Sequence, residues 1–186
     1  MPLLDRTAVP CDLAAPPGPP ECEHGPVAGF FVRPAQAGDA RAMAELFAMV
    51  AAEHDGIATE PPVDLEERTA IFAQAAASSM VAIADGEVIG MIHVEVSRFG
   101  FGEFGMLVDR GRRGRGVGAA LVLAAVDWAT GQGLHKLCLE VFAHNAAAIA
   151  LYRKCGFVEE GRRTRQYRRA NGEIWDSVTM GRALNP

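Results

Sequence analysis

The sequence predicts an α/β fold built on a mixed central sheet, and three observations predict it. Phe104 to Leu121 reads as a strand, a glycine-rich turn and the start of a helix. Lys136 to Phe142 is a second apolar strand after that helix, so the two strands should run parallel through a crossover. Asp85-Gly86 and Asn171-Gly172 each separate two apolar runs and read as hairpin turns, which adds antiparallel pairs on both sides of the crossover. The expectation is six or seven strands with about four helices, in the order β-α-α-β-β-β-α-β-α-β-β.

Taken in order, residues 1–28 hold seven prolines and no helical or strand period. They read as a flexible proline-rich extension, followed by one domain over 29–186. Phe30 to Arg33 is a short strand closed by Pro34. Asp39 stands where a helix N-cap belongs, and Met43, Leu46, Phe47 and Val50 recur at helical spacing to about Glu53. The polar stretch from Glu53 to Pro62 is a loop. A second helix is expected from about Asp64 to Ala77, broken by Ser78-Ser79.

Met80 to Ala84 and Val88 to Val96 form the first hairpin, with Val88, Gly90, Ile92, Val94 and Val96 on one face. Glu103 to Val108 returns as the strand of the glycine-rich unit, whose helix runs to about Gln132-Gly133. Asn145 caps a helix that Gly156 ends. Strand segments at Phe157–Glu160, Arg165–Arg168 and Glu173–Gly181 complete the chain.

Composition narrows the function. Apolar residues are 49% and charged residues 22% of 186, an ordinary globular balance that suits one full core. The net charge of −5, and the lack of aromatics interleaved with the arginines, argue against nucleic acid as a partner. No apolar run reaches membrane-spanning length, so no membrane partner and a cytoplasmic location are expected. Cys11, Cys22, Cys138 and Cys155 lack C-x-x-C spacing. They read as free thiols, with Cys138 in the core and no metal site.

The turn from Arg110 to Gly118 carries four arginines and four glycines before a helix. Glycines let backbone N–H groups approach an anion, and the first N–H groups of a helix have no internal partner. A phosphate ligand is therefore expected. The mononucleotide P-loop is excluded because no lysine and hydroxyl pair follows the glycines, and the dinucleotide fingerprint lacks its third glycine.

Two stretches carry a more specific resemblance. Arg113-x-x-Gly116-x-Gly118 resembles the [QR]-x-x-G-x-[GA] pyrophosphate loop of the GCN5-related N-acetyltransferase (GNAT) family. Asn145-x-x-x-Ile149-x-Leu151-Tyr152-x-x-x-Gly156-Phe157 is similar to that family's second signature. The order of elements matches too, over about residues 30 to 183. The C-terminal third is similar to bacterial acetyltransferases of small amino acids and their analogues. The run Leu139-Glu140-Val141 to Asn145 is similar to ribosomal-protein alanine acetyltransferases.

The resemblance implies acetyl-CoA as cosubstrate, an amine acceptor, and direct attack in a ternary complex. It implies that Met106, Leu107 and Val108 pair with the pantetheine arm through their backbone. Arg113, Gly114, Arg115, Gly116, Val117, Gly118 and Ala119 would hold the pyrophosphate, and Asn145 would bond the cofactor arm. Tyr152 would be the general acid for the leaving thiolate as well as a cofactor contact. Glu103 and Glu140 are alternative general bases, with His93 and His144 behind them. The favoured acceptor is a small amino acid or analogue, whose carboxylate Arg162, Arg163 or Arg165 would bind. The acids Glu53, Asp55 and Glu60 leave a cationic amine, such as a polyamine, an aminoglycoside or a peptide N-terminus, as the alternative. A non-catalytic acyl-CoA sensor is the reading from another class. A homodimer through the C-terminal strands is also compatible with the family.

Overall fold

A computed structural model describes residues 29–184, so the proline-rich extension with Cys11, Cys22 and His24 lies outside the described residues. The elements are β1 (Phe31–Pro34), α1 (Ala40–Ala51), α2 (Leu65–Gln74), β2 (Ser79–Ala84), β3 (Glu87–Val96), β4 (Phe101–Val108), α3 (Val117–Gly131), β5 (Lys136–Phe142), α4 (Ala146–Lys154), β6 (Val158–Arg168) and β7 (Ile174–Ala183). The seven strands form one sheet in the order β1-β2-β3-β4-β5-β7-β6. Only β4 and β5 pair in parallel, as the crossover through α3 requires.

Each face of the sheet carries a core. Alternation on the strands sends Phe104, Leu137, Leu139 and Val178 to one side, where Val117, Leu121, Val122 and Ala125 of α3 meet Ile149 and Tyr152 of α4. Val81, Met91 and Leu107 point the other way, onto Met43, Leu46 and Val50 of α1 and Phe72 of α2. Both turns predicted from sequence are present. Asp85 and Gly86 both have positive φ (53° and 82°), as a tight two-residue hairpin turn demands.

Four details differ from the sequence reading. Asp39 precedes α1, but its carboxylate caps no helical N–H; it accepts from the Gln36 amide at 2.7 Å and pairs with Arg33 at 2.7 Å. A register shift between Ala82 and Ile83, opposite Gly90 and Val88, puts an extra residue in β3, so Val88 packs with the α1 core and not beside Ile92. The segments 157–160 and 165–168 are one continuous strand, β6, irregular between Arg163 and Tyr167 with Arg165 at φ 54°. Cys138 is only half-buried, on the sheet face that bears Glu103 and Glu140.

Candidate active site

The parallel ladder between β4 and β5 is short. It pairs Phe101, Gly102 and Glu103 with Lys136, Leu137 and Cys138, and then stops. Beyond it, β4 remains paired to β3 as far as Val108, and β5 remains paired to β7 as far as Phe142. The sheet therefore opens into a V. Alternate backbone groups of Phe104 to Val108 face the opening with no strand opposite. Met106, Leu107 and Val108 lie on this lip, although the Leu107 side chain is buried in the α1 core and the Val108 carbonyl accepts from Arg113 Nε at 3.0 Å.

The glycine-rich turn closes the wide end of the V. Gly114 and Gly116 have φ of 75° and 87°, a left-handed conformation that strains any residue with a Cβ, and no atom lies within 4 Å of where a Cβ would stand. Gly116 is the N-cap of α3, so the amides of Val117, Gly118 and Ala119 start a 15-residue helix without partners of their own. Gly118 has a different reason to be glycine. A Cβ there would lie 2.9 Å from Leu151 Cδ2 and 3.4 Å from Met106 Cε, so its absence lets α3 approach α4 and β4.

The arginines of the turn divide into two sets. Arg113 makes a bidentate bond to Glu53 (2.7 and 2.8 Å), and Arg112 pairs with Asp85 at 3.2 Å. The guanidinium expected at the phosphates is thus paired with Glu53, and the Arg113 amide donates to Arg110 O at 3.5 Å. Arg110 and Arg115 have no side-chain partner among the described residues, and both are exposed.

Across the V, Asn145 caps α4 by accepting from Ala148 N at 3.1 Å, which leaves its amide N–H groups to donate. Tyr152 follows on the same helix, 7% exposed and set edge-on to Phe104 and Phe157, with centroids at 5.8 and 6.2 Å. Its hydroxyl has no hydrogen-bond partner among the described residues and is not sealed from solvent. Burial, reinforced by the neighbouring Cys155, pushes the phenol up to about 12.

Glu103 and Glu140 both reach the sheet face opposite α3 and α4, around Tyr167. Their surroundings differ. Glu140 is held by Arg163 at 2.8 Å and by a short hydrogen bond from the Ser177 hydroxyl. Glu103 is exposed at the vertex of the V, opposite Glu95, without a cationic partner among the described residues. Of the two histidines, His93 is half-buried against the Ser79 hydroxyl at 3.1 Å, and burial lowers its pKa. His144 Nε2 bonds Asp55 at 2.9 Å while its ring stacks on Phe142.

Most charges read as substrate ligands are used internally. Arg162 bonds Asp176, Arg163 bonds Glu140, and Glu53, Asp55 and Glu60 pair with Arg113, His144 and Arg169. Arg165 alone of its group makes no side-chain bond among the described residues. Sequence reasoning passed over Arg169, Phe142 and Trp175. Arg169 is 4% exposed, with its guanidinium 4.5 Å from the Trp175 ring and 5.5 Å from the Phe142 ring. Only its place beside the Asn171-Gly172 turn marked it, and Arg168 shares that place.

The site thus joins an open strand edge to the start of α3, with a buried phenol on α4 and an exposed carboxylate at the vertex. The chain belongs to the acetyltransferase (GNAT) family, whose model matches residues 43–157. It is 34% identical over 108 residues to the L-amino acid N-acetyltransferase AaaT of Escherichia coli (strain K12), covering 55% of this chain and 66% of that protein. It is 35% identical over 111 residues to the L-methionine sulfoximine/L-methionine sulfone acetyltransferase of Pseudomonas paraeruginosa (strain DSM 24068 / PA7), covering 55% and 64%. The matches thus span just under two thirds of these curated relatives.

Among solved structures, a ribosomal-protein-alanine N-acetyltransferase from Brucella melitensis superposes with a TM-score of 0.76 at 26% identity, covering 83% of this chain and 99% of that one. A phosphinothricin acetyltransferase from Sinorhizobium meliloti in complex with AcCoA shares the fold, with a TM-score of 0.77 at 23% identity over 84% and 89%. Seven strands and four helices in the expected order agree with this family. Among the described residues no helix is long and apolar enough to cross a membrane, and no group of His, Cys, Asp and Glu is arranged to hold a metal.

Proposed function

We propose that the protein is an acetyl-CoA-dependent N-acetyltransferase that acts on the primary amine of a small amino acid or analogue. The observation that carries this reading is the end of β4–β5 pairing after Glu103 and Cys138, with the open edge of β4 leading to left-handed glycines at a helix start. The fit to acetyl-CoA rests on the same features: an unpaired strand edge for an amide-bearing arm, and open space at Gly114 and Gly116 for a pyrophosphate. The similarity to enzymes named for amino acids and methionine derivatives supports the acceptor class.

Acetyl-CoA would supply the thioester carbonyl that the amine attacks. The amides of Gly114 to Ala119 would bind its diphosphate, with Arg115 adding charge. Met106 and Val108 would orient the arm through the backbone, and Asn145 would donate its side-chain N–H to the same arm. Both reactants would then share one cleft, and proximity supplies much of the rate.

Glu103 is the general base in this reading, because Glu140 is already committed to Arg163 and Ser177. Tyr152 keeps its proton far above neutral pH, with its phenol at about 12. An alkyl thiol titrates near 8.5, so full transfer to a leaving thiolate would run uphill by roughly 3.5 units, or about 5 kcal/mol. Its service is therefore a hydrogen bond donated as charge gathers on sulfur.

Calorimetric titration with acetyl-CoA, followed by thiol-release assays over amino acids, polyamines, aminoglycosides and short peptides, tests the proposal. Binding with release on amino acids supports it. Binding without release on any amine favours the sensor, and no binding refutes the site.

A further inference from the structure

The chain enters the fold at the corner where the glycine-rich turn lies. Phe31 of β1 pairs with Ile83 of β2, so Gly29, two residues earlier, comes level with Asp85 in the β2–β3 turn. Asp85 in turn holds Arg112 of the glycine-rich turn at 3.2 Å. The same end of the sheet carries Val108, opposite Gly90 of β3. The start of α3 lies over it as well, since a Cβ on Gly90 would stand 3.1 Å from Val117 Cγ1. From β1 to β4 is three strand spacings, about 14 Å.

Most charges at this corner are already paired. Asp85 holds Arg112, Glu53 holds Arg113, and Asp109 accepts from the Gly111 amide at 2.7 Å. Arg110 and Arg115 remain, exposed and without a side-chain partner among the described residues. Two such guanidinium groups, beside left-handed glycines and a helix start, favour a ligand with two negative charges.

The segment that leads into this corner is acidic. Residues 1–28, outside the described residues, hold Asp5, Asp12, Glu21 and Glu23 against Arg6 alone. Glu21 and Glu23 flank Cys22, and Glu23 precedes Gly29 by six residues. Six residues span up to about 20 Å, more than the width of three strand spacings. A short tether gives a local concentration on the order of millimolar. Exposed ion pairs too weak to join separate molecules can form under that condition.

Resting on the acetyltransferase reading, we infer that Glu21 and Glu23 dock on Arg110 and Arg115 when the donor is absent, so that the N-terminal segment and the diphosphate of acetyl-CoA compete for one turn. The chain thereby carries its own weak inhibitor, which a rise in donor concentration displaces.

The test uses the full chain and its Glu21→Gln/Glu23→Gln double variant, since glutamine keeps the size of each side chain and removes its charge. Calorimetry at low salt should give the variant a dissociation constant for acetyl-CoA at least threefold below that of the wild type, with kcat at saturating donor unchanged. Raising the salt to ~0.5 M should erase the difference, because exposed charges are then screened. A nitroxide on Cys22, in a chain carrying Cys11→Ser and Cys138→Ser, reads position directly, since Cys155 is buried. It should broaden the amide signals of Gly111, Gly114 and Gly116, and acetyl-CoA should restore them. When nitroxide-bearing protein is mixed with unlabelled, isotope-enriched protein, the enriched signals should stay sharp, because the contact lies within one chain.

Equal dissociation constants in the two proteins, or sharp signals in the donor-free nitroxide chain, overturn this inference alone. Broadening in the mixture would place the contact between copies and overturn it as well. No acetyl-CoA binding by either protein overturns the reading beneath it, and the competition with it.

Discussion

Replacing Tyr152 by phenylalanine separates the chemistry of its hydroxyl from the packing of its ring. The ring touches Phe104 and Phe157, and phenylalanine keeps both contacts. The hydroxyl has no partner to strand among the described residues, so stability at pH 8 should change by less than about 0.5 kcal/mol. Turnover should fall by about 10²-fold or more, with acetyl-CoA affinity within a few-fold of wild type.

A second signature lies at alkaline pH. In the unfolded chain a tyrosine titrates near 10, whereas here the phenol is pushed up to about 12 by burial. Below pH 10 both states hold the proton and the contribution is complete. Between pH 10 and 12 the unfolded state alone releases it, so the native state loses stability as pH rises. The full loss is about 2.7 kcal/mol, and half of it, about 1.4 kcal/mol, falls by pH 11. Urea unfolding at pH 8 and pH 11 should show that extra loss in wild type and not in Tyr152→Phe. Tyr167, Cys138 and Cys155, whose pKa values burial also raises, are common to both proteins and cancel. Equal losses in the two proteins would show that the phenol is not buried as described. Equal turnover would remove it from the chemistry.

Three other substitutions test neighbouring claims. Gly116→Asp puts a Cβ at φ 87° and a carboxylate beside the expected diphosphate, so acetyl-CoA affinity by calorimetry should drop at least tenfold; unchanged affinity would refute the loop assignment. Glu103→Gln should reduce kcat by about 10²-fold, whereas Glu140→Gln should instead cost about 1 kcal/mol of stability by loosening Arg163 and Ser177; the reverse pattern would exchange their roles. Gly102→Ala drives a Cβ to 2.8 Å from Val94 Cγ1 and 2.9 Å from Leu137 Cδ2. Overpacking of about 1–3 kcal/mol should follow. It should lower Tm by roughly 3–10 °C in a scanning calorimeter, and no change would show that the vertex yields.

The fold was legible because its signals are local. Asp85-Gly86 needs positive φ at both positions, α3 repeats its apolar residues in register, and Lys136 to Phe142 forms a strand over the range its pattern defines. The extra residue in β3 left no such trace, since Val88 and Ile89 are both apolar and either could face the core. At the site, the glycine turn and the Asn145–Tyr152 helix were readable by spacing. The charges were not. Arg113 meets Glu53 across 60 positions, and Arg169 meets Ala58 across 111. Pairing at that range depends on how the finished sheet brings its strand ends together, which no window of sequence contains.

The opening between β4 and β5 also bears on the life of the free protein. Three residue pairs join the two halves of the sheet at that seam, against seven between β5 and β7. Most sheets confine their unsatisfied edges to the two outermost strands, but this one carries another pair at its centre. Such an edge is a template for any extended segment, including one from a neighbouring copy. On the proposed reading, a ligand that fills the seam would therefore guard solubility as well as react. At a hundred times its dissociation constant it would add about 2.7 kcal/mol to the native state by mass action. Protein prepared without such a ligand should be the more aggregation-prone form, and the supply of the donor in its surroundings would govern how much of the protein persists.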